Sequence, residues 1–344
     1  MDEATRRRAA RAAAYSGGAI GALGALGAAG FGVLIGETKL ARRRIPQAEA
    51  EPPVSHDTVW TAAGVSRSRP PIRLAVLGDS SAVGYGVFRD RDTPAARIAI
   101  GISDVARRPV HVSNVGVVGA QSHNLPAQIE QLGMSNPDVA VIMIGTNDVT
   151  HRVGSREAVP FLADAVSRLR AMGAEVVVGT CPDLGTIRPL AQPLRRVARH
   201  LSRRMAKEQT IAVVAAGGRT VSLGDLLGPQ FARQREFFSD DQFHPSAAGY
   251  KAAAAALLPS VLDALGLRTR TRSASAFTTR LPKPLARAAA QAAVRPGSEV
   301  SGTDRHGPVG RRAGLWAQLR KRRSSTKQAA SPEAATPVTA ATPD

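Results

Sequence analysis

Between residues 71 and 267 the chain carries five short runs in which apolar residues follow one another almost without a break: Ile72–Leu77, Val110–Val115, Val139–Ile144, Glu175–Thr180 and Ile211–Ala215. Continuous rather than alternating apolar character predicts strands buried on both faces of a parallel sheet. Helical spacing fills the intervals. In the clearest case Leu162, Ala165, Val166, Leu169 and Met172 share one face, and Gly173 supplies the stop. Strand and helix alternating over this length predict a doubly wound α/β domain, with its active site where the strands end at their carboxyl side.

The flanking segments have a different texture. Residues 15–36 form 22 positions without a charge, long enough to span a bilayer as a helix. Eight are Gly and five Ala, so the segment is only weakly apolar. Arg6, Arg7, Arg8 and Arg11 flank one side and Lys39, Arg42, Arg43 and Arg44 the other, which nearly ties the positive-inside rule. The following GETKLARRR offers no small-x-small cleavage site, which favours an uncleaved membrane anchor over a signal peptide. The expected organisation is a basic N-terminus with this anchor (1–44), a polar Pro-containing linker (45–70), the α/β domain (71–267), and a basic Pro/Ala/Ser-rich disordered tail (268–344). Within that tail a short amphipathic element around Leu315–Leu319 precedes the cations Arg320–Arg323.

A net charge of +19 suggests a nucleic-acid partner until it is located. Residues 1–44 hold eight Lys/Arg against three acids, and residues 268–344 fifteen against four, so the central body is nearly balanced. The basicity sits in the tails, where attraction to anionic headgroups beside a membrane segment accounts for it. No recognition motif accompanies the charge, so no specific nucleic acid is expected. The lone Cys181 excludes an intramolecular disulfide framework and any multi-cysteine zinc site, and reads as a small buried hydrophobe. His56, His111, His123, His151, His200 and His306 are scattered without ligand spacing, so neither metal nor cofactor is expected.

Four blocks carry chemistry. In LAVLGDSSAVGYG (residues 74–86) a strand ends at Leu77, Gly78 permits a tight turn, and Ser80 follows with its Oγ at the mouth of the sheet and its N–H free. In NVGVVGA (114–120), Gly116 and Gly119 let a ligand approach the backbone. In VIMIGTNDVT (141–150), Asn147 offers a side-chain amide donor, and Asp148 is expected to cap the next turn. In FFSDDQFHPSAAGY (237–250), Asp241 stands three residues before His244, where a carboxylate can hold the imidazole's tautomer and leave its far nitrogen to take a serine proton.

Together these blocks resemble the SGNH/GDSL hydrolase family, whose four name-giving residues fall in order on Ser80, Gly119, Asn147 and His244. The resemblance covers about residues 71–266 and departs from the family at Ser81, where Leu is common. It implies a flavodoxin-like three-layer α/β/α sandwich with a five-stranded parallel sheet. It further implies a Ser80–His244–Asp241 triad and an oxyanion hole made of the Ser80 N–H, the Gly119 N–H and the Asn147 amide. The expected activity is hydrolysis of small-molecule or lipid carboxylic esters by a membrane-anchored enzyme, with the extracytoplasmic side favoured. Two other readings use the same chain: an acyltransferase or deacetylase acting on envelope glycan or lipid, and a non-catalytic membrane-tethered binding protein.

Overall fold

The computed structural model describes residues 57–224, 233–267, 283–295, 297–303 and 316–321, together with Gly36. Strand β1 (Asp57–Trp60) leads into β2 (Ile72–Gly78), the short helix α1 (Ser80–Val83), helix α2 (Pro94–Ala106) and β3 (Val110–Asn114). Next come α3 (Leu125–Leu132), β4 (Val139–Met143), α4 (Thr146–Thr150), α5 (Ser155–Ala171), β5 (Glu175–Gly179), α6 (Leu194–Ala215) and β6 (Arg219–Val221). Helix α7 (Ala247–Ala264), β7 (Lys283–Pro284), α8 (Leu285–Ala292), β8 (Ser298–Thr303) and β9 (Trp316–Lys321) complete the described chain.

The strands form one sheet in the order β1-β3-β2-β4-β5-β6-β8-β9-β7. Its centre, β3-β2-β4-β5-β6, is five parallel strands, four of them at the expected runs, inside a nine-stranded mixed sheet rather than the expected five-stranded one. Antiparallel neighbours widen it on both sides, β1 against β3 and β8 against β6. Alternation along each central strand feeds two cores. Leu74, Val76, Val141 and Val177 face the side covered by α2 and α7, with Ile98, Ile102 and Leu257. Ala75, Leu77, Ile142 and Val178 face the side covered by α3 and α5, with Ile129, Leu162 and Leu169. Each such Leu, Ile or Val contributes roughly 1.5–3 kcal/mol on burial, which is why both faces of these strands read as apolar. The result is a three-layer α/β/α sandwich.

Three expectations change. The run Ile211–Ala215 is the end of α6 and not a strand: Met205, Ala206, Gln209, Thr210, Val213 and Val214 are buried at helical spacing. A short apolar run is ambiguous by periodicity alone, and here the preceding helix simply continues to Ala215. The fifth parallel strand is Arg219–Val221, placed after the turn at Gly217. Inside the expected linker, residues 57–60 pair with β3, Asp57 opposite Ser113 and Trp60 opposite Val110. Inside the expected disordered tail, α8 buries Ala288, Ala289 and Ala292 beside Val214, Val300 and Ala317, and β8 pairs with β9 over six residues. Among the described residues no helix is long and apolar enough to cross a membrane; the candidate span 15–36, Gly36 apart, lies outside them.

The chain first builds β3 on one side of β2 and then β4 on the other. That reversal opens a crevice between the carboxyl ends of β2 and β4, the place where doubly wound sheets hold their ligands.

Candidate active site

The end of β2 is fixed before Ser80 is reached. Gly78 has φ +133°, and a Cβ there would lie 1.8 Å from the Met143 carbonyl oxygen, so only glycine lets β2 and β4 close at this point. The Gln128 side chain seals the same residue from the helix face, accepting the Gly78 N–H at 2.8 Å and donating to its carbonyl at 2.9 Å. Asp79 caps α1 by accepting the Ser81 N–H at 2.9 Å, and Gly84 closes the helix with φ +89°. Ser80 is thereby presented at the first position of a single helical turn, 6% exposed.

Its partner arrives from 164 residues away. His244 Nε2 stands 3.1 Å from Ser80 Oγ, and His244 Nδ1 stands 2.5 Å from Asp241 Oδ2. Asp241 Oδ1 accepts three further hydrogen bonds, from Ser239 Oγ at 2.7 Å and from the N–H groups of Phe243 and His244, both at 2.8 Å. Burial works against ionisation of Asp241, but the bonds from His244, Ser239 and Phe243 outweigh it and hold the carboxyl at about 2. Tyr85 and Phe243 meet the imidazole edge-on at centroid distances of 4.6 and 4.9 Å, restricting its rotation. Tyr250, buried on α7, donates to the Tyr85 carbonyl at 2.8 Å and reaches the Ser80 carbonyl at 3.4 Å, tying the serine turn to the helix that follows the histidine.

The remaining two blocks are stapled to this edge. The Val117 N–H donates to the Gly78 carbonyl at 3.0 Å, which sets the glycine loop beside the serine turn. Gly119 adopts φ +81° with nothing within 4 Å of a Cβ, so its requirement is conformational and its surface is open. Asn147 Nδ2 donates to the Ala120 carbonyl at 3.0 Å, using one of its two amide hydrogens. Among the described residues no acceptor takes the Ser80 or Gly119 N–H.

Asp148 departs from the capping expectation. Its buried carboxylate accepts the Ser122 N–H at 3.0 Å and the Ser122 hydroxyl at 2.8 Å, so it locks α4 to the end of the glycine loop. The structure thus brings Ser80, Gly119, Asn147, Asp241 and His244 to one sheet edge. It adds supports that no sequence signal singled out: Gln128, Ser122, Ser239, Tyr85 and Tyr250. Ser239 lay inside the Asp241 block and Tyr250 six residues beyond His244, whereas Gln128 is 50 residues from the glycine it holds.

The arrangement can abstract the Ser80 proton through His244 while Asp241 stabilises the resulting imidazolium. A hydrogen bond to a charged group is worth about 1.5–3 kcal/mol, so the Ser239 bond matters to it. Ser239→Ala is expected to lower turnover about tenfold. It should also let the Asp241 carboxyl rise toward its ordinary value. Asp241 titrates lower folded than unfolded, so its stabilising contribution is present above the unfolded value of 3.8 and lost as pH falls toward 2. Melting curves between pH 3 and 5 should therefore show the variant less stable than the parent above about pH 4 and losing less stability as the pH falls, because its folded and unfolded values lie closer together, and unchanged curves would remove the assignment.

The family model of the GDSL-like lipase/acylhydrolases matches residues 76–252. A GDSL-like esterase of Mycobacterium tuberculosis is 42% identical over 242 residues, which span 68% of this chain and 77% of the relative. Among solved structures, an acetyl-xylooligosaccharide esterase variant from Geobacillus stearothermophilus has a TM-score of 0.45 at 18% identity, covering 61% of this chain and 99% of its own. A member of the lipolytic G-D-S-L family from Veillonella parvula has a TM-score of 0.42 at 17% identity, covering 58% and 98% respectively.

Proposed function

The chain belongs to the GDSL-like lipase/acylhydrolase family and is a carboxylic ester hydrolase, and on that footing we propose that it works through an acyl-enzyme on Ser80. The single observation that carries the proposal is the position of His244, with one ring nitrogen 3.1 Å from Ser80 Oγ and the other 2.5 Å from Asp241. In the first half-reaction His244 takes the Ser80 proton as Oγ attacks the ester carbonyl. The tetrahedral oxyanion is held by the Ser80 N–H, the Gly119 N–H and the second amide hydrogen of Asn147. His244 then returns the proton to the leaving alcohol. In the second half-reaction a water attacks the acyl group, His244 again serves as base, and the acid leaves with Ser80 restored.

Support for the oxyanion site lies in the way the three donors are held. The loop bearing Gly119 is tied to β2 through Val117 and to α4 through both Asn147 and Asp148. The site is therefore stiff before a substrate enters, which is what electrostatic stabilisation of a transition state requires.

A fluorophosphonate tests the reading directly, because Oγ attack forms a stable P–O bond and expels fluoride. Mass spectrometry of the digested full chain should find the adduct on Ser80, and pre-incubation with a short p-nitrophenyl ester should slow its formation. An adduct on Ser81, or none on chain that hydrolyses the ester, would overturn it.

A further inference from the structure

Helix α6 carries a charge that neither its own stability nor the hydrolytic site explains. Its 22 residues hold six Lys/Arg (Arg195, Arg196, Arg199, Arg203, Arg204 and Lys207) against the single acid Glu208. The first turn contains Arg195 and Arg196 and no acidic residue, although the positive end of the helix dipole disfavours cations there. Packing accounts for half of the six. Arg199 and Arg203 reach the buried Asp183, with Arg199 Nε at 3.4 Å and Arg203 Nη2 at 2.8 Å. Arg195 donates to the carbonyls of Leu190 and Arg188 at 2.8 and 2.9 Å and so secures the loop between β5 and α6. Arg196, Arg204 and Lys207 remain, and no carboxylate among the described residues pairs with them. Arg196 and Arg204 are exposed, as is His200, and beside them stand two exposed aliphatics, Val197 at 37% and Leu201 at 39%. Ala198, Ser202, Met205 and Gln209 line the opposite, buried face. A single exposed aliphatic needs no explanation, but these two lie one helical turn apart and are fringed by cations.

We propose that the outer face of α6, formed by Arg196, Val197, His200, Leu201 and Arg204, docks on an anionic lipid surface. On such a surface the two aliphatics enter the boundary between headgroups and acyl chains, and the cations meet the headgroup charge. Charge argues against the other occupants at hand. The segments 1–44 and 268–344 are themselves basic, and a second copy of the chain would present the same cations. A nucleic-acid backbone would match the cations but would set Val197 and Leu201 against phosphate, with nothing apolar to cover them. Position suits lipid as well. Helix α6 follows β5, so its first turns stand at the carboxyl edge of the sheet, the edge that carries Ser80. A docked α6 therefore holds the ester-cleaving edge close to the lipid. Met134, 94% exposed between α3 and β4, stands at the opposite edge.

An environment-sensitive fluorophore on Leu201→Cys in the full chain reads docking at this face, separately from any adsorption through the basic tails. The native Cys181 is buried and stays unlabelled in the folded chain. With vesicles of equimolar phosphatidylglycerol and phosphatidylcholine the emission should shift to the blue, and phosphatidylcholine alone should leave it unmoved. The same fluorophore on Met134→Cys should stay in water. At about 1 M salt, where the Debye length is about 3 Å, the shift at 201 should require far more lipid. Arg196→Glu with Arg204→Glu in the labelled chain should raise the lipid concentration for half the shift by at least about 25-fold, taking about fivefold for each basic residue near an anionic surface. All these positions are exposed, and a label on Val197→Cys repeats the measurement should the first variant not fold. A chain that sediments with the vesicles while the fluorophore at 201 stays in water would place the binding in the tails and overturn the proposal. So would an equal shift at Met134→Cys, a shift indifferent to the charge reversal, or a response to duplex DNA in place of phosphatidylglycerol.

Discussion

Replacing Ser80 by alanine is expected to lower ester hydrolysis by at least about 10⁴-fold while leaving the fold intact. The side chain is 6% exposed, and its hydroxyl meets His244 Nε2 at 3.1 Å. The groups that shape the turn are elsewhere: the Asp79 cap, the Gly84 closure and the bonds received by the Ser80 carbonyl all survive the substitution. Loss of Oγ removes the atom proposed to form the acyl-enzyme. Ser81 is the natural competitor, but its N–H is held by Asp79 and it is the Ser80 hydroxyl that meets His244. Ser81→Ala should therefore keep its rate at pH 8 within about tenfold of the parent. Initial rates on a short p-nitrophenyl ester, with circular dichroism on both variants, decide the matter. Substantial turnover by Ser80→Ala would sink the nucleophile assignment.

The second large effect is expected at Asn147. Removing one preorganised oxyanion donor costs about 10²–10³ in turnover, so Asn147→Ala should lose that much in kcat with little change in KM. Part of any loss could come from the freed Ala120 carbonyl, which Asn147 Nδ2 now bonds at 3.0 Å. The structure separates the two contributions. Asp148 holds the same loop through both the N–H and the hydroxyl of Ser122, so the loop keeps its tether when Asn147 is cut. The stability change should then be that of one ordinary hydrogen bond, about 1 kcal/mol, far smaller than the kinetic loss. A stability loss as large as the kinetic one would make Asn147 a structural staple.

Local chemistry carried much of this into the sequence. Three of the five strand runs were legible because strands buried on both faces are apolar at nearly every position, as Leu74 to Leu77 are, whereas β3, VHVSN, alternates and is fully buried only at Val110, Val112 and Asn114. The fifth run misled because Ile211–Ala215 lies where a buried helix face and a buried strand look alike over five residues. The antiparallel strands left almost no signal: β1, DTVW, at the rim of the sheet, and β8, SEVSGT, between β6 and β9, both alternate too weakly to stand out. Asp148 misled for another reason. A carboxylate in the first turn of a helix usually serves its own backbone, and this one serves Ser122 instead.

The residues that could do the chemistry were set by the sequence alone: a serine after a strand-ending glycine, two further strand-end blocks, and a carboxylate three residues before a histidine. Each is a short-range pattern, fixed by turn geometry within a few positions. Which of two adjacent serines faces the base, what holds Asp241 ionised and why Gly78 must be glycine were decided only by tertiary structure. These answers depend on contacts between residues far apart in the chain: His244 with Ser80, Gln128 with Gly78, and the Met143 carbonyl that excludes a Cβ at Gly78. The side chain of Ser81 differs in no way from that of Ser80. Only the folded turn decides that Ser80 Oγ is the one to meet the imidazole.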